Sequence, residues 1–232
     1  MTSLPSWSDY GTYDESAYPD LWNGVVGYWA PCLGPTGLRL HDVSRNGNWG
    51  TLTNMDAASD WVVNGGQYAL DLDGTNDRIE AATIPIAGQV TISAWVNLDS
   101  LTDEMIVNKR PTNTAFNLFV FGNSISLRGG AAASVTFSIT GRTGQWLHVV
   151  GTIIGTAATI FLNGESVATG TVAAIGNTTG VIDIGAYGDF GGGYYLDGRI
   201  DQISLHNRAL SPNEIRQLYQ LGRGGMLERR RR

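Results

Sequence analysis

Between Val25 and His206 the chain runs in short apolar segments broken by Gly, Asn, Asp and Pro, and no long helical pattern intervenes. Val90–Asn97 (VTISAWVN) alternates, with Ile92, Ala94 and Val96 on one face and Thr91, Ser93, Trp95 and Asn97 on the other. Further candidate strands are Val25–Trp29, Tyr68–Leu72, Arg78–Ala82, Glu104–Asn108, Phe116–Phe121, Ser124–Arg128, Ser134–Ile139, Trp146–Ile153, Ala158–Leu162, Glu165–Thr169, Val181–Tyr187 and Leu196–His206. Asn163-Gly164 is a hairpin dipeptide between two of them. About a dozen strands without a long helix among them predict an all-β antiparallel sandwich or barrel, not alternating α/β.

Composition agrees. The 31 glycines in 232 residues are close to twice ordinary usage, and no Gly-X-Y period accompanies them, so they belong to turns and not to collagen. Charged residues make up only 16%. One helix is expected late in the chain. Ser211-Pro-Asn-Glu214 reads as a capping box with Pro at the first helical position, Leu210 and Ile215 as a hydrophobic staple, and Gly222 as the stop.

Several classes fall away. Cys32 is the only cysteine, so an internal disulfide and a Cys-rich metal site are both excluded. No apolar run reaches membrane-spanning length, and the first residues have neither a basic nor an apolar leader region. A protein of this kind working outside a cell is expected to leave by lysis, by a non-classical route, or in a particle. The formal charge of -6 averages two parts: residues 223–232 carry five Arg and one Glu, which leaves -10 on the rest. A body that acidic is not expected to bind nucleic acid.

The expected organisation is an N-terminal arm over 1–20, one domain over 21–222 and a basic tail over 223–232. The arm either drapes over the surface or packs on its own domain or a neighbouring subunit. The tail is a solvated end, a weak anion contact, or a strap on an acidic surface such as another copy. A homo-oligomer or larger particle assembly is the expected state.

The order of phrases resembles the laminin-G-like jelly-roll domains of the concanavalin A-like lectin/glucanase superfamily. The phrases are Val25-Val-Gly-Tyr-Trp29, Asp42-Val-Ser-Arg-Asn-Gly-Asn-Trp-Gly50, Tyr68-Ala-Leu-Asp-Leu-Asp-Gly-Thr-Asn-Asp77, Val90–Val96, Gln145–Val150, Leu162-Asn-Gly164 and Gly198–Ile215. Arg45 stands where the family usually has its first loop glycine. The resemblance implies two curved antiparallel sheets packed face to face, with the late helix covering one edge. Such domains are common in bacterial surface and phage proteins.

Glycan hydrolases of this fold use paired carboxylates, about 5–5.5 Å apart for retention and about 6.5–9.5 Å for inversion. No Glu-x-Asp-x-Glu occurs, the six Glu are scattered, and an enzyme is not expected. His41, His148 and His206 form no triad or H-E-x-x-H pattern and read as structural. For metal, Asp73-Gly-Thr-Asn-Asp77 offers three carboxylate or amide side chains around a glycine turn. In relatives a calcium site lies at the sandwich rim, and the resemblance maps it onto Asp73, Asn76, Asp77 and Asp201. The competing reading makes these residues Asx turns and ion-pair partners. For a ligand, the Gly188–Tyr195 loop brings Phe190, Tyr194 and Tyr195, and Trp49 is a second aromatic candidate. The alternative is that these rings cap the core or fill a subunit interface.

Two functions remain. The first is a non-catalytic structural or display protein, such as a phage virion decoration or fibre component, with glycan adhesion as an added property. The second is a stand-alone, calcium-assisted carbohydrate-binding lectin at an extracellular surface. Neither calls for a cofactor other than calcium.

Overall fold

The computed structural model describes residues 18–31, 34–64, 67–110, 115–130, 134–176, 179–187 and 194–227, the last four without side chains. The arm up to residue 17, Cys32, Phe190 and the four terminal arginines lie outside the described residues.

The strands are β1 (Val25–Trp29), β2 (Arg39–Leu40), β3 (Gly50–Thr53), β4 (Trp61–Asn64), β5 (Gln67–Asp73), β6 (Arg78–Thr83), β7 (Gln89–Leu98) and β8 (Glu104–Lys109). They continue as β9 (Phe116–Phe121), β10 (Ser124–Gly129), β11 (Ser134–Ser138), β12 (Trp146–Ile154), β13 (Ala157–Leu162), β14 (Glu165–Thr171), β15 (Val181–Ile184) and β16 (Asp197–His206). Two helices flank them, α1 (Pro19–Trp22) and α2 (Pro212–Leu227).

All pairings are antiparallel and make two eight-stranded sheets. Sheet A runs β14-β13-β12-β7-β16-β5-β4, with β1 also on β16; sheet B runs β11-β10-β9-β8-β15-β6-β3-β2. The all-β antiparallel arrangement expected from the strand series is observed, as the two-sheet jelly-roll sandwich that the resemblance implies. Its core is the alternate side chains of both sheets, among them Ile92, Ala94 and Val96 of β7 facing Leu118, Val120, Ile125 and Leu127 of sheet B. Three short strands, β2, β3 and β4, were not read from sequence. They have two to four residues each, too few for alternation to register.

A second apolar layer covers the other face of sheet A, where Leu21, Trp22, Tyr28, Val150, Phe161, Leu210, Ile215 and Leu218 cluster under α1 and α2. The second face of β7 is therefore buried too: Trp95 stacks on Tyr219 of α2 at 5.5 Å. The capping box forms, with Ser211 N donating to Glu214 Oε2 (2.7 Å) and Glu214 N to Ser211 Oγ (3.3 Å). Arg208 clasps both helices, donating to Asn23 O, Asp20 O and Glu214 Oε1.

Two expected boundaries move. Helix α1 includes Pro19 and Asp20, which the sequence reading placed in the arm. Helix α2 does not stop at Gly222 but continues to Leu227, into the expected tail. Gly222 is a close-approach residue instead: a Cβ there would lie 2.3 Å from Trp95 Nε1 and 2.7 Å from Gln202 Oε1.

Candidate functional site

The Asp73–Asp77 turn follows β5 at one end of the sandwich. Asp73 Oδ1 accepts from Thr75 N (2.8 Å) and Asn76 N (3.2 Å), and Asp77 Oδ2 accepts from Asp73 N (3.1 Å). The two bonds to Asp73 are of the Asx type and the one to Asp77 closes the turn, so the turn is built by its own side chains. Gly74 at φ +68 donates its amide to Leu196 O at 3.1 Å, and Asp73 pairs with Asp197 in the β5–β16 ladder. The turn thus lies against the segment that carries Tyr194 and Tyr195. That segment is also tied to β8, through Met105 N to Tyr194 O (3.1 Å) and Asp197 N to Glu104 Oε2 (3.4 Å). Tyr194 is 40% exposed and packs edge-on against Tyr187, ring centroids 5.8 Å apart. Two sets of residues singled out separately in the sequence, the acidic turn and the tyrosines, therefore meet at one rim.

The rim is strongly acidic. Burial, with repulsion from Asp99, Asp71 and Asp73, raises the Asp197 carboxyl. Burial raises Asp77 to about 6 against the hydrogen bond from Asp73 N, helped by Asp73, Asp60 and Asp71. Asp73 goes the other way: burial would raise it, but the backbone amides of Thr75 and Asn76 pull it below its ordinary value. Glu104 is raised by burial despite donors on Ser100 and Thr102. Arg199 offsets part of this charge through Asp71 (3.6 Å).

The four residues mapped as calcium ligands are not gathered together. Asp201 lies on β16 opposite Trp95 of β7, four residues from Asp197, a separation of roughly 13 Å along the strand. It is buried, it accepts from Gln202 N (2.7 Å), and burial pushes it up to about 7. Arg199, the nearest arginine in sequence, pairs with Asp71 instead. Among the described residues no group of three or more His, Cys, Asp or Glu is placed to hold a metal ion. As a set, Asp73, Asn76, Asp77 and Asp201 do not fit one calcium ion.

Trp49 lies elsewhere. The loop before it is knit by Asp42, whose carboxylate accepts from the amides of Tyr28 (3.0 Å), Ser44 (2.9 Å) and Asn48 (2.8 Å). Arg45 holds φ +67 in this loop, a conformation that suits the glycine its family usually has there. Trp49 is 36% exposed, with the Arg39 guanidinium 3.9 Å from its ring centroid and His41 at 4.4 Å. At the far end of β3, Asn54 Nδ2 donates to Asn76 O (3.0 Å). Trp49 is thus separated from the acidic turn by the length of β3, about 16 Å.

The glutamates that the structure describes are committed to structural partners. Glu80 pairs with Arg110 (2.6 Å), Glu165 with Arg216 (3.2 Å) and Glu214 with Arg208 (2.5 Å), while Glu104 takes Ser100, Thr102 and Asp197 N. Sequence reasoning missed one serine–histidine contact: Ser93 Oγ lies 2.9 Å from His148 Nε2. Ser93 is on β7 and His148 on β12, strands that pair in sheet A, and only their register brings the two side chains together. Both are about 1% exposed, and His148 Nδ1 has no partner that would orient it as a base. Burial lowers His148 to about 3, which keeps the ring neutral beneath Tyr219. The pair is part of the α2 packing layer and does not form a nucleophile–base couple.

Solved structures of similar fold include a domain of an arabinanase and the binding domains of toxins. Domain 4 of AbnA, a GH43 extracellular arabinanase from Geobacillus stearothermophilus, solved with arabinotriose, has a TM-score of 0.66 at 19% identity and covers 84% of this chain and 98% of that one. The binding domain of botulinum neurotoxin serotype D/C VPI 5993 has a TM-score of 0.68 at 13% identity, covering 87% of this chain and 53% of that one. That of Paraclostridial Mosquitocidal Protein 1 has a TM-score of 0.67 at 16% identity, covering 86% and 52%. This chain therefore spans about half of each toxin domain and nearly all of the arabinanase domain. No curated protein sequence matches. The family described as the concanavalin A-like lectin/glucanases superfamily, in its laminin-G form, matches residues 73–216, from the acidic turn into α2. The chain belongs to that superfamily.

Proposed function

We propose that this chain is a non-catalytic carbohydrate-binding domain that takes sugar at the Tyr194–Tyr195 rim. The observation that carries the reading is the exposed Tyr194 ring, braced by Tyr187 and set beside the Asp73–Asp77 turn. Glycan sites pair an aromatic platform for the apolar face of a sugar with carboxylates and amides for its hydroxyls, and the rim has both. The committed glutamates support binding without hydrolysis. The relatives support the same reading: the arabinanase domain was solved with arabinotriose, and a botulinum neurotoxin type C structure concerns two ganglioside molecules. They favour the lectin alternative over the virion-display reading, and an extracellular setting suits it. A calcium-assisted form of this reading would draw on Asp73, Asn76 and Asp77, without Asp201.

A glycan array probed with the full chain, with and without calcium, tests the proposal. The expected result is binding to at least one plant, bacterial or animal glycan that Tyr194→Ala weakens. Silence across all three groups in both conditions would overturn it.

A further inference from the structure

We propose that the outer face of sheet A, beyond the end of α2, is the docking surface for the four arginines at 229–232 of the same chain, which cross it as a strap over Asn97, Asp99, Asp197, Asp71 and Asp73. The strap goes beyond the sugar reading and does not rest on it, because it recognises charge and needs no glycan.

Helix α2 points at this surface. It opens beside β7 at Thr91, whose Oγ1 accepts from Leu210 N (2.8 Å). By Tyr219 and Gly222 it has reached Trp95, which stacks on the Tyr219 ring and closes against Gly222. Pro212 to Gly222 rises about 15 Å along the helix, and Thr91 to Trp95 spans about 13 Å along the strand. The two axes are therefore close to parallel, and α2 runs toward the Leu98 end of β7. The five further residues to Leu227 add about 7.5 Å, which brings the helix end level with Asn97. Glu228 and the four arginines follow directly.

Leu70, Leu72, Val96, Leu98, Leu147 and Ile200 point into the core, so their alternates face the other way. Register sets Trp146, Asn97, Arg199 and Asp71 in one row across β12, β7, β16 and β5. One step further out, Asp197 pairs with Asp73, and its carbonyl accepts from Asp99 N at 2.9 Å. Asp73 and Asp99 are exposed, Asp71 and Asp197 half-buried. Burial, then repulsion from Asp99, Asp71 and Asp73, raises the Asp197 carboxyl, so the four stand within Coulombic reach of one another. Arg199 answers Asp71 alone, at 3.6 Å. Among the described residues no arginine or lysine pairs with Asp73, Asp99 or Asp197. A second observation comes from Asn97, which is only 8% exposed. Its Nδ2 donates to Gly144 O (3.3 Å), but its Oδ1 has no partner. A buried acceptor beside an uncompensated acidic row calls for a donor.

A donor that is also a cation meets both demands. A guanidinium carries five N–H groups and can serve a carboxylate and an amide oxygen together. The supply is at hand: residues 223–232 hold five Arg and one Glu, against -10 on the rest of the chain. Four residues of extended chain span about 13 Å, and the path from Asp99 across Asp197 to Asp73 covers two strand spacings, about 10 Å. One exposed ion pair contributes little. Several act together here because Glu228 alone separates the arginines from the helix end, and so short a tether keeps their effective concentration high. The same argument selects the chain's own tail over that of a second copy, which would have to displace it.

The test compares NMR spectra of the isotope-labelled full chain with those of a variant carrying Arg229→Ser, Arg230→Ser, Arg231→Ser and Arg232→Ser. The signals read are the backbone amides of Asp73, Asp99 and Asp197 and the side-chain amide of Asn97. At about 20 mM salt the two proteins are expected to differ at these signals, and about 1 M salt, where the screening length falls to about 3 Å, should remove most of the difference. Dilution by about tenfold should leave it unchanged, as an intramolecular contact requires. When the four serines are introduced together with Asp99→Asn and Asp197→Asn, the same signals should move at least about twofold less than they do in the parent. If Asp197→Asn disturbs the start of β16, Asp99→Asn alone, at an exposed side chain, should still reduce the movement. Identical low-salt signals in the parent and the serine variant would overturn the proposal. So would a difference that grows with protein concentration, which would assign the strap to a second copy. A difference undiminished by the asparagine substitutions would also overturn it, because the tail would then act elsewhere.

Discussion

The amide of Gly74 donates to the carbonyl of Leu196 at 3.1 Å, which seats the acidic turn against the segment bearing Tyr194 and Tyr195. Gly74 is at φ +68, and a Cβ there would stand 2.8 Å from the Asp197 Cβ. Gly74→Ala should therefore cost about 1–2 kcal/mol from the left-handed backbone alone, more with the clash. Urea unfolding measures it. A loss below about 0.5 kcal/mol would mean that the turn is not held as described.

Stacking on Tyr194 should dominate affinity at the rim. Tyr194→Ala is expected to weaken binding of any glycan identified on the array by about tenfold, close to 1.4 kcal/mol. Trp49→Ala, at the far end of β3, should leave that affinity within about twofold. Equal losses in both variants, measured by calorimetry, would place the ligand differently.

Asp201 has a carboxyl pushed by burial up to about 7, against an ordinary 3.8. The folded chain binds this proton more tightly than the unfolded chain does. Its contribution is thus fully present below about pH 4 and is lost as pH rises through 7. Asp201→Asn removes the titration but keeps a neutral side chain. The stability of Asp201→Asn relative to the parent should rise from pH 4 to pH 8, by up to about 4 kcal/mol at about 1.4 kcal/mol per pH unit. Denaturant melts at the two pH values check it, and a pH-independent difference would show that Asp201 does not titrate this way.

Lys109, the one lysine of the chain, is fully buried, with Nζ donating to Ile84 O (2.5 Å) and Gly180 O (2.7 Å). Burial lowers its ammonium to about 8. Lys109→Met should strand both carbonyls and cost about 1–3 kcal/mol for each one left unpaired. Thermal unfolding reads the loss, and a stability equal to that of the parent would show that solvent satisfies both.

Much of the fold was legible because its signals are local. Alternation in VTISAWVN, Asn163-Gly164 and Ser211-Pro-Asn-Glu214 each specify an element from neighbouring residues, and each element formed. Gly222 misled because a glycine that looks like a helix stop also suits a tight contact, and only the proximity of Trp95 and Gln202 distinguishes the two. Asp201 misled for a related reason. Its phrase places it on β16, but not how far along the strand it lies from the turn.

The amino-acid sequence by itself determined the all-β strand series, the late capped helix, the acidic body and the separate identities of the Asp73–Asp77 turn and the tyrosine loop. Tertiary structure decided which of these meet. It set Asp73 against Asp197, Met105 against Tyr194, and Trp49 apart from them all. Turn chemistry and side-chain period act over a few residues. Cross-strand register joins distant ones, and it is chosen by how two whole sheets bury their inner faces together.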